Sequence, residues 1–117
     1  MLVKDFRLTN QKEFERVYKS SRPIWGRYIS IRSSQNQKGQ TRFGFVISNK
    51  TVPKATARNR AKRQFRAIIN DWLGKIKTGY DVIIVLKQLP VRNEHESLSR
   101  DLNFLLRKTN LLKHNKK

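Results

Sequence analysis

The pattern of apolar and polar residues along the chain predicts an alternation of helices and short strands. Residues 10–13 have the spacing of a capping box, and Phe14, Val17 and Tyr18 follow on one helical face. This first helix should end before Pro23, because the residue that precedes a proline is disfavoured in helical geometry.

Two alternating segments, residues 27–33 and 42–48, have the period of strands with one buried face. In the first segment Ile29 and Ile31 share one face, and the opposite face carries Tyr28, Ser30 and Arg32. A polar turn around Gly39 separates the two segments, so we expect them to pair as a hairpin.

The second half of the chain predicts a longer helix and a buried strand. Apolar residues recur at helical spacing from Ala61 to Trp72, with Thr56 as the expected N-cap and Gly74 as the expected C-cap. Residues 82–86 form a continuous apolar run, which is typical of a central strand covered on both faces.

A last helix completes the pattern. Asn93 and Glu96 have the spacing of a second capping box, and leucines at helical spacing follow them. The element order is therefore α-β-β-α-β-α, which indicates an α+β fold with helices packed on a small sheet. We expect one domain over residues 1–117, with residues 113–117 as a disordered tail.

Charge adds the first indication of function. The chain has 117 residues, with 27 lysines and arginines against 8 aspartates and glutamates, for a formal net charge of +19. No carboxylate occurs between Glu15 and Asp71. Because a surface kept charged only for solubility normally mixes both signs, this distribution indicates a polyanionic partner, and nucleic acid is the common one.

The composition also excludes several classes of protein. The chain has no cysteine, which rules out a disulfide framework and a thiolate metal site. No segment has the roughly 18 consecutive apolar residues of a membrane span, and residues 1–10 lack the apolar core of a signal peptide. We therefore expect a cytoplasmic protein with no membrane partner.

The basic segment at residues 58–66 is the most informative part of the chain. Its apolar stripe should face the core, which leaves the remaining surface of the helix to cations. Arg58, Lys62 and Arg66 repeat at i, i+4 spacing, a repulsive row that a bound polyanion would relieve. A merely solvated face is one alternative, and a basic helix on a membrane surface is another that would compete with the core for the apolar stripe.

The same segment resembles a known family. The sequence Arg-Asn-Arg-Ala-Lys-Arg at residues 58–63 is similar to the signature of the bacterial ribonuclease P protein component, and residues 42–44 and 81–85 are similar to strands of that family. Two features depart from the pattern. Asn49 stands where the first of two lysines is usual, and residues 51–53 replace a shorter connector that often contains glycine.

The resemblance implies a fold and a set of roles. It implies a left-handed βαβ crossover, an exception to the usual right-handed rule. It implies contacts to the ribonuclease P catalytic RNA from Lys50, Lys54, Arg58, Asn59, Arg60, Lys62, Arg63 and Arg66. It also implies a cleft for the single-stranded 5′ leader of precursor tRNA, lined by Phe14, Tyr18, Tyr28, Ser30 and Arg32.

Phe14 and Tyr18 suit such a cleft on physical grounds, because unpaired bases stack on aromatic rings while nearby cations follow the phosphates. The alternative is that both rings belong to the core, since aromatic residues at helical spacing are usually buried. Trp25 and Arg27, in the loop that follows, are secondary candidates.

No catalytic constellation is recognisable in the sequence. His95 and His114 have no recognisable partner, so a protein-only nuclease is the less favoured alternative. Asp5, Glu13 and Glu15 could hold Mg²⁺ weakly, but capping and solvation explain them equally well.

By the resemblance, the RNA subunit performs Mg²⁺-dependent hydrolysis. The protein would then bind no cofactor tightly, take no small-molecule substrate and supply no catalytic residue to this endoribonuclease. A ribosomal or general RNA-binding protein without a processing role is the remaining alternative.

Overall fold

The computed structural model describes residues 8, 10–37 and 39–112, and in it three helices pack on one four-stranded sheet. The helices are α1 (Gln11–Ser20), α2 (Ala55–Trp72) and α3 (Glu94–Lys108), and the strands are β1 (Ile24–Trp25), β2 (Ile29–Gln35), β3 (Arg42–Val46) and β4 (Tyr80–Leu86). The predicted α+β class is confirmed, and the short strand β1 is an addition to it. The predicted tail at residues 113–117 lies outside the described residues.

The strands lie in the order β1-β2-β4-β3, with β4 antiparallel to β2 and parallel to β3. The hairpin predicted between the segments 27–33 and 42–48, which correspond to β2 and β3, is therefore wrong. Strand β4 lies between them, and its apolar run is covered by the main core on one face and by the cluster under α1 on the other. A parallel pair needs a crossover connection, and α2 supplies it between β3 and β4. The hand of this crossover stays a prediction.

Alternation along the strands gives the sheet two unlike faces. The face covered by α2 and α3 holds the main core, to which the sheet contributes Ile29, Ile31, Phe43, Val82, Ile84 and Leu86. Helix α2 adds Phe65, whose ring stacks on that of Phe45 with the centroids 5.6 Å apart. Each fully buried side chain of this kind stabilises the fold by about 1.5–3 kcal/mol. This side of the sheet therefore supplies most of the apolar burial.

The opposite face, called the α1 face from here on, is smaller and more polar. Leu8, Val17 and Ile83 are buried there as a second cluster, at the point where α1 crosses the sheet. The side chain of Asn10 accepts a hydrogen bond from the Lys12 backbone N–H at 2.8 Å, so the predicted N-cap of α1 is confirmed.

A buried carboxylate fastens α1 to its face of the sheet. Asp81 accepts hydrogen bonds from Arg16, from Asn36 at 2.8 Å, and from the Nε and Nη2 atoms of Arg42 at 2.9 Å each. Glu13 of α1 forms a second ion pair with Arg42 at 2.9 Å. Burial alone would raise the pKa of Asp81, but the hydrogen bonds from Arg42, Asn36 and Arg16 outweigh it and hold the pKa below its usual value.

A second buried carboxylate holds the turn between β1 and β2 against α3. Asp101 accepts hydrogen bonds from three successive backbone N–H groups, those of Arg27, Tyr28 and Ile29, at 2.9, 2.8 and 3.0 Å. Gly26 lies so close that a Cβ atom there would stand 2.5 Å from Asp101 Oδ1. The turn is thus fixed by α3 and not by its own side chains.

Two helix ends differ from the prediction, and a third agrees in position but lacks the expected hydrogen bond. Helix α2 begins after Lys54 and not after Thr56, and no side-chain hydrogen bond caps it. Asn93 does precede α3, but its backbone is left-handed (φ 50°) and its side chain makes no capping hydrogen bond. Gly74 is not a left-handed C-cap, since the chain continues through a short 3-10 helix, Leu73–Lys75.

We expect Asp81→Ala to lower the free energy of unfolding by about 3–5 kcal/mol, because it leaves two arginines without the buried charge that they surround. Asp71→Ala is the matched control, since it removes the same charge from an exposed position of α2 and should stay within about 0.5 kcal/mol. Urea denaturation of both variants measures the difference, and equal effects would contradict the role of Asp81.

The same variant tests how the free energy of unfolding depends on pH. A carboxyl group whose pKa is lower in the folded protein contributes stability above its unfolded pKa of about 3.9, and this is lost as the pH falls through the folded pKa. Wild-type stability should therefore fall below about pH 4, and Asp81→Ala should lose less over that range. Parallel curves for the two proteins would argue against the depressed pKa.

Candidate nucleic-acid interface

Helix α2 carries the cationic surface that the sequence predicts. Its buried residues are Ala61, Phe65, Ile68 and Ile69, which point toward the sheet. On the rest of the helix Asn59, Arg60 and Arg63 are exposed, and Arg58, Lys62 and Arg66 are half-buried. Lys50 and Lys54 are exposed in the connector that leads into the helix. Five of these eight predicted residues are thus exposed, and the other three are partly enclosed by the fold.

Arg58 also holds the connector in place. Its Nη1 atom donates hydrogen bonds to the carbonyl oxygens of Val52 at 2.8 Å and of Pro53 at 2.9 Å. A guanidinium group has five N–H donors, so this arginine keeps further donors for a phosphate. The connector, which departs from the family pattern at residues 51–53, is therefore anchored by the first residue of the Arg-Asn-Arg sequence.

Arg60 is directed toward α3 by an ion pair with Glu94, at 3.1 Å between Arg60 Nη2 and Glu94 Oε1. The arginine side chain is 49% exposed, whereas that of Glu94 is 19% exposed and its Oε2 atom is shielded from solvent with no hydrogen-bond partner among the described residues. The ion pair orients the guanidinium and leaves about half of the arginine side chain open to a further ligand.

The α1 face remains partly open beside α1. Strand pairing places four residues in one row across the sheet, namely Trp25, Ser30, Val85 and Val46. Val85 and Val46 are half-buried and pack in the same cluster as Phe14 of α1. We call this row, together with Phe14 and Tyr18 along the flank of α1, the cleft.

Phe14 and Tyr18 have different surroundings in the cleft. Phe14 is half-buried in the cluster of Leu8 and Ile83, so it belongs partly to the core. Tyr18 is exposed, and the Arg32 guanidinium stacks on its ring with Cζ 4.5 Å from the centroid. Of the two alternatives that the sequence left open, burial holds in part for Phe14 and exposure holds for Tyr18.

The other predicted cleft residues are only partly brought together. Ser30 is buried in the floor of the row, and Arg32 donates a hydrogen bond to the Ser21 carbonyl at 2.8 Å while its guanidinium covers Tyr18. Tyr28 packs instead against the main core. Its predicted place on the face of Ser30 and Arg32 is therefore wrong, because the chain bends at residues 27–28 and strand alternation begins only at Ile29.

A small cavity joins the cleft to α2. Its volume is about 150 Å³, and it is lined by Leu8, Phe14, Phe43, Gly44, Phe45, Lys62 and Arg66. It lies at the outer edge of β3, where the Leu8 N–H donates to the Phe43 carbonyl at 2.7 Å. The Nε atom of Arg66 is shielded from solvent and has no hydrogen-bond partner among the described residues. Phe14 and the cations of α2 are thus neighbours although they lie on opposite faces of the sheet.

Four of the described carboxylates are buried or paired with arginines of another element, whereas Glu15 of α1 and Asp71 of α2 are exposed. Asp81 and Asp101 are buried, and Glu13 and Glu94 are paired with arginines. Over residues 8, 10–37 and 39–112 no cluster of three or more histidine, aspartate or glutamate side chains could hold a metal ion. His95 is exposed in the first turn of α3, and Asp5 and His114 lie outside the described residues.

Within the part of the chain that the structure describes, no helix has the length and the apolar character needed to cross a membrane.

The structure adds Val46, Val85 and Lys87 to the surface that the sequence indicated. Lys87 follows β4 and places its Nζ atom 4.8 Å from the centroid of the Trp25 ring. These residues come from strands that are far apart in the sequence, and only the order of the strands makes them neighbours. Alternation along β3 and β4 is the signal that could have assigned them to the α1 face.

Comparisons with known proteins agree with this arrangement. The family model for Ribonuclease P matches residues 2–110. The chain is 31% identical to the ribonuclease P protein component of Syntrophomonas wolfei over 98% of this chain and 96% of that protein, and 34% identical to that of Microcystis aeruginosa over 91% and 92%. The fold is similar to that of the Staphylococcus aureus RNase P protein, with a TM-score of 0.82, 21% identity, and coverage of 92% of this chain and 98% of that one.

Gly44 tests the packing of the cleft. A Cβ atom at this position would overlap the Phe14 ring and stand 3.2 Å from the Leu8 carbonyl oxygen, so Gly44→Ala should destabilise the fold by about 1–3 kcal/mol through overpacking. Gly74→Ala is the control, because nothing lies within 4 Å of the added Cβ. Urea denaturation should separate the two variants, and equal stabilities would refute the close packing of Phe14 on β3.

Proposed function

The chain belongs to the ribonuclease P protein family, whose general role is in tRNA processing, and from that premise we propose its place in the complex. It binds a ribonuclease P catalytic RNA and the 5′ leader of precursor tRNA, and so promotes endonucleolytic removal of the leader. The observation that carries this proposal is the pairing of a cationic helix with an aromatic cleft across one edge of the sheet.

Helix α2 is the proposed contact to the catalytic RNA. Its exposed cations follow a connector that Arg58 anchors. Residues 58–66 include no carboxylate. Arginine forks suit phosphate oxygens because they can donate two parallel hydrogen bonds. Each phosphate that is neutralised releases counterions, and this release drives binding and makes it dependent on salt.

The cleft is the proposed contact to the leader. Unpaired bases stack on aromatic rings, and Tyr18 offers an exposed ring that already carries the Arg32 guanidinium on one side. Phe14 offers one edge of a half-buried ring near Lys62 and Arg66. A strand in the cleft could therefore pass directly from aromatic contacts to the cations of α2.

In this proposal the chemistry belongs to the RNA. The RNA subunit uses Mg²⁺ to hydrolyse the phosphodiester bond, while the protein positions the leader and lowers the repulsion between the two RNAs. No residue of the protein is assigned a catalytic role, and no cofactor is assigned to it. We also propose a cytoplasmic location, since precursor tRNA is made there in a bacterium.

The decisive assay is cleavage of precursor tRNA at low Mg²⁺ by a bacterial ribonuclease P RNA with and without this protein. We expect cleavage at the mature 5′ end with both subunits and none with the protein alone. Cleavage by the protein alone that is lost in His95→Ala would favour a protein-only nuclease. Binding without any enhancement of cleavage would favour a general RNA-binding protein.

A triple substitution tests the role of α2. Replacing Arg58, Arg60 and Arg63 with alanine should weaken assembly with the RNA and reduce the slope of log K against log salt by about 1 for each phosphate that the variant no longer neutralises. The Mg²⁺ concentration needed for half-maximal cleavage should rise.

The control variant has the same net charge as this triple variant. Replacing Arg100, Arg107 and Lys108 with alanine removes three exposed cations from α3, and it should change the slope less. Equal slopes for the two triple variants would mean that total charge, and not the surface of α2, determines binding.

A further inference from the structure

Among the described residues, Trp25 is the most exposed aromatic side chain of the α1 face. It is 55% exposed, although its neighbour in β1, Ile24, packs against the main core. Strand pairing sets Trp25 opposite Ser30, so both side chains lie on the α1 face. Leaving so large an apolar ring in water forgoes the stabilisation that burial would give. The ring is therefore free to stack with a ligand that reaches this face.

A cation is already held at this ring. The Nζ atom of Lys87 lies 4.8 Å from the Trp25 ring centroid and donates a hydrogen bond to the Gly26 carbonyl at 3.0 Å. The Lys87 backbone N–H donates to the Tyr28 carbonyl at 2.7 Å. Both ends of the lysine are thus tied to the turn that follows Trp25.

The turn between β1 and β2 is held by a residue of α3, outside the cleft. Asp101 accepts its three successive N–H groups, and the lack of a side chain at Gly26 lets the carboxylate approach. Trp25 and Lys87 are therefore presented by a turn that is fixed before any ligand binds. A contact made in advance loses less conformational entropy on binding.

The position of the ring continues the cleft. Trp25 stands at the β1 end of the row that passes through Ser30 and Val85 to Val46. The Tyr18–Arg32 pair lies beside the next row along β2. At the other end of the row Phe14 adjoins the cavity that it shares with Lys62 and Arg66. Trp25 is thus at the edge of the sheet farthest from α2.

We propose that Trp25 and Lys87 form a second base-stacking site, which takes an unpaired base and the adjoining phosphate of the leader on the side away from α2. The inference rests on the proposed function and extends its leader contact to the far edge of the sheet. A π-face and a cation together suit a nucleotide of any sequence. A second copy of this chain is a poorer occupant, because it would bring the same positive charge to the site.

The first test measures affinity against leader length in the holoenzyme assembled with a bacterial ribonuclease P RNA. Wild-type affinity for precursor tRNA should rise again when the leader, lengthened one nucleotide at a time, becomes long enough to cross the sheet. Trp25→Ala should lose that last rise, by at least about fivefold, and Trp25→Phe should restore part of it. Lys87→Met should lose part of the rise and should reduce its dependence on salt.

Phe104→Ala is the matched control. Phe104 is also an exposed aromatic residue, 51% exposed with a lysine Nζ 5.5 Å from its ring centroid, but it lies on α3. Its loss should leave the whole length series unchanged. If Trp25→Ala gave the wild-type series, or if Phe104→Ala gave the same loss as Trp25→Ala, the inference would be overturned.

A direct readout uses fluorescence in a Trp72→Phe background, where Trp25 is the remaining tryptophan. A leader that reaches the site should quench this fluorescence through stacking, and a shorter leader should not. Absence of quenching by the longest leader, while that leader still increases affinity, would overturn the stacking site alone. Absence of any leader-dependent affinity in the wild type would instead overturn the proposed leader cleft.

Discussion

Asp81 is fully buried between α1 and the sheet, and arginines from two different elements converge on its carboxylate. A charge in that position is tolerated only with its partners in place, because an uncompensated buried charge costs several kcal/mol. Arg42 and Asn36 supply most of these partners, and Arg16 adds a contact that ties α1 to β4. Phe14 and Tyr18, two residues before and after Arg16, lie on the other flank of the helix. The ion pairs of Arg16 and Glu13, together with the apolar cluster around Val17, thus hold the aromatic flank of α1 beside the cleft.

The burial of two carboxylates makes the surface of an already basic chain more positive. The chain has 8 acidic residues against 27 basic ones, and Asp81 and Asp101 are enclosed by hydrogen bonds to the rest of the fold. The surface that remains is strongly cationic, and its self-repulsion opposes the compact state. A polyanion that binds only the folded protein must stabilise it by mass action. Folding and RNA binding are therefore coupled by charge in the proposed assembly.

The sequence predicts the helices and strands of this fold better than it predicts which strands pair with each other. The apolar stripe of α2 and the buried run of β4 follow from periodicity, because burial on one face or on two faces leaves a direct pattern. The position of β4 between β2 and β3 does not follow, since it depends on which edges pair after the chain has crossed over. The prediction that Tyr28 shares a face with Ser30 and Arg32 is wrong for a similar reason. The bend before Ile29 is held by Asp101, which is distant in sequence.

The cleft and α2 meet at the outer edge of β3, so the aromatic residues of the cleft and the cations of α2 are neighbours there. Phe14 shares a cavity with Lys62 and Arg66 although it reaches the cavity from the other face of the sheet. Two RNA strands that approach this edge would repel each other most strongly there, because Coulomb energy rises as the distance falls. In the proposed complex, cations at this edge would relieve the repulsion between the leader and the catalytic RNA. By linkage, the affinity for the leader would then depend on the bound catalytic RNA, and the affinity for the catalytic RNA would depend on the leader to the same extent.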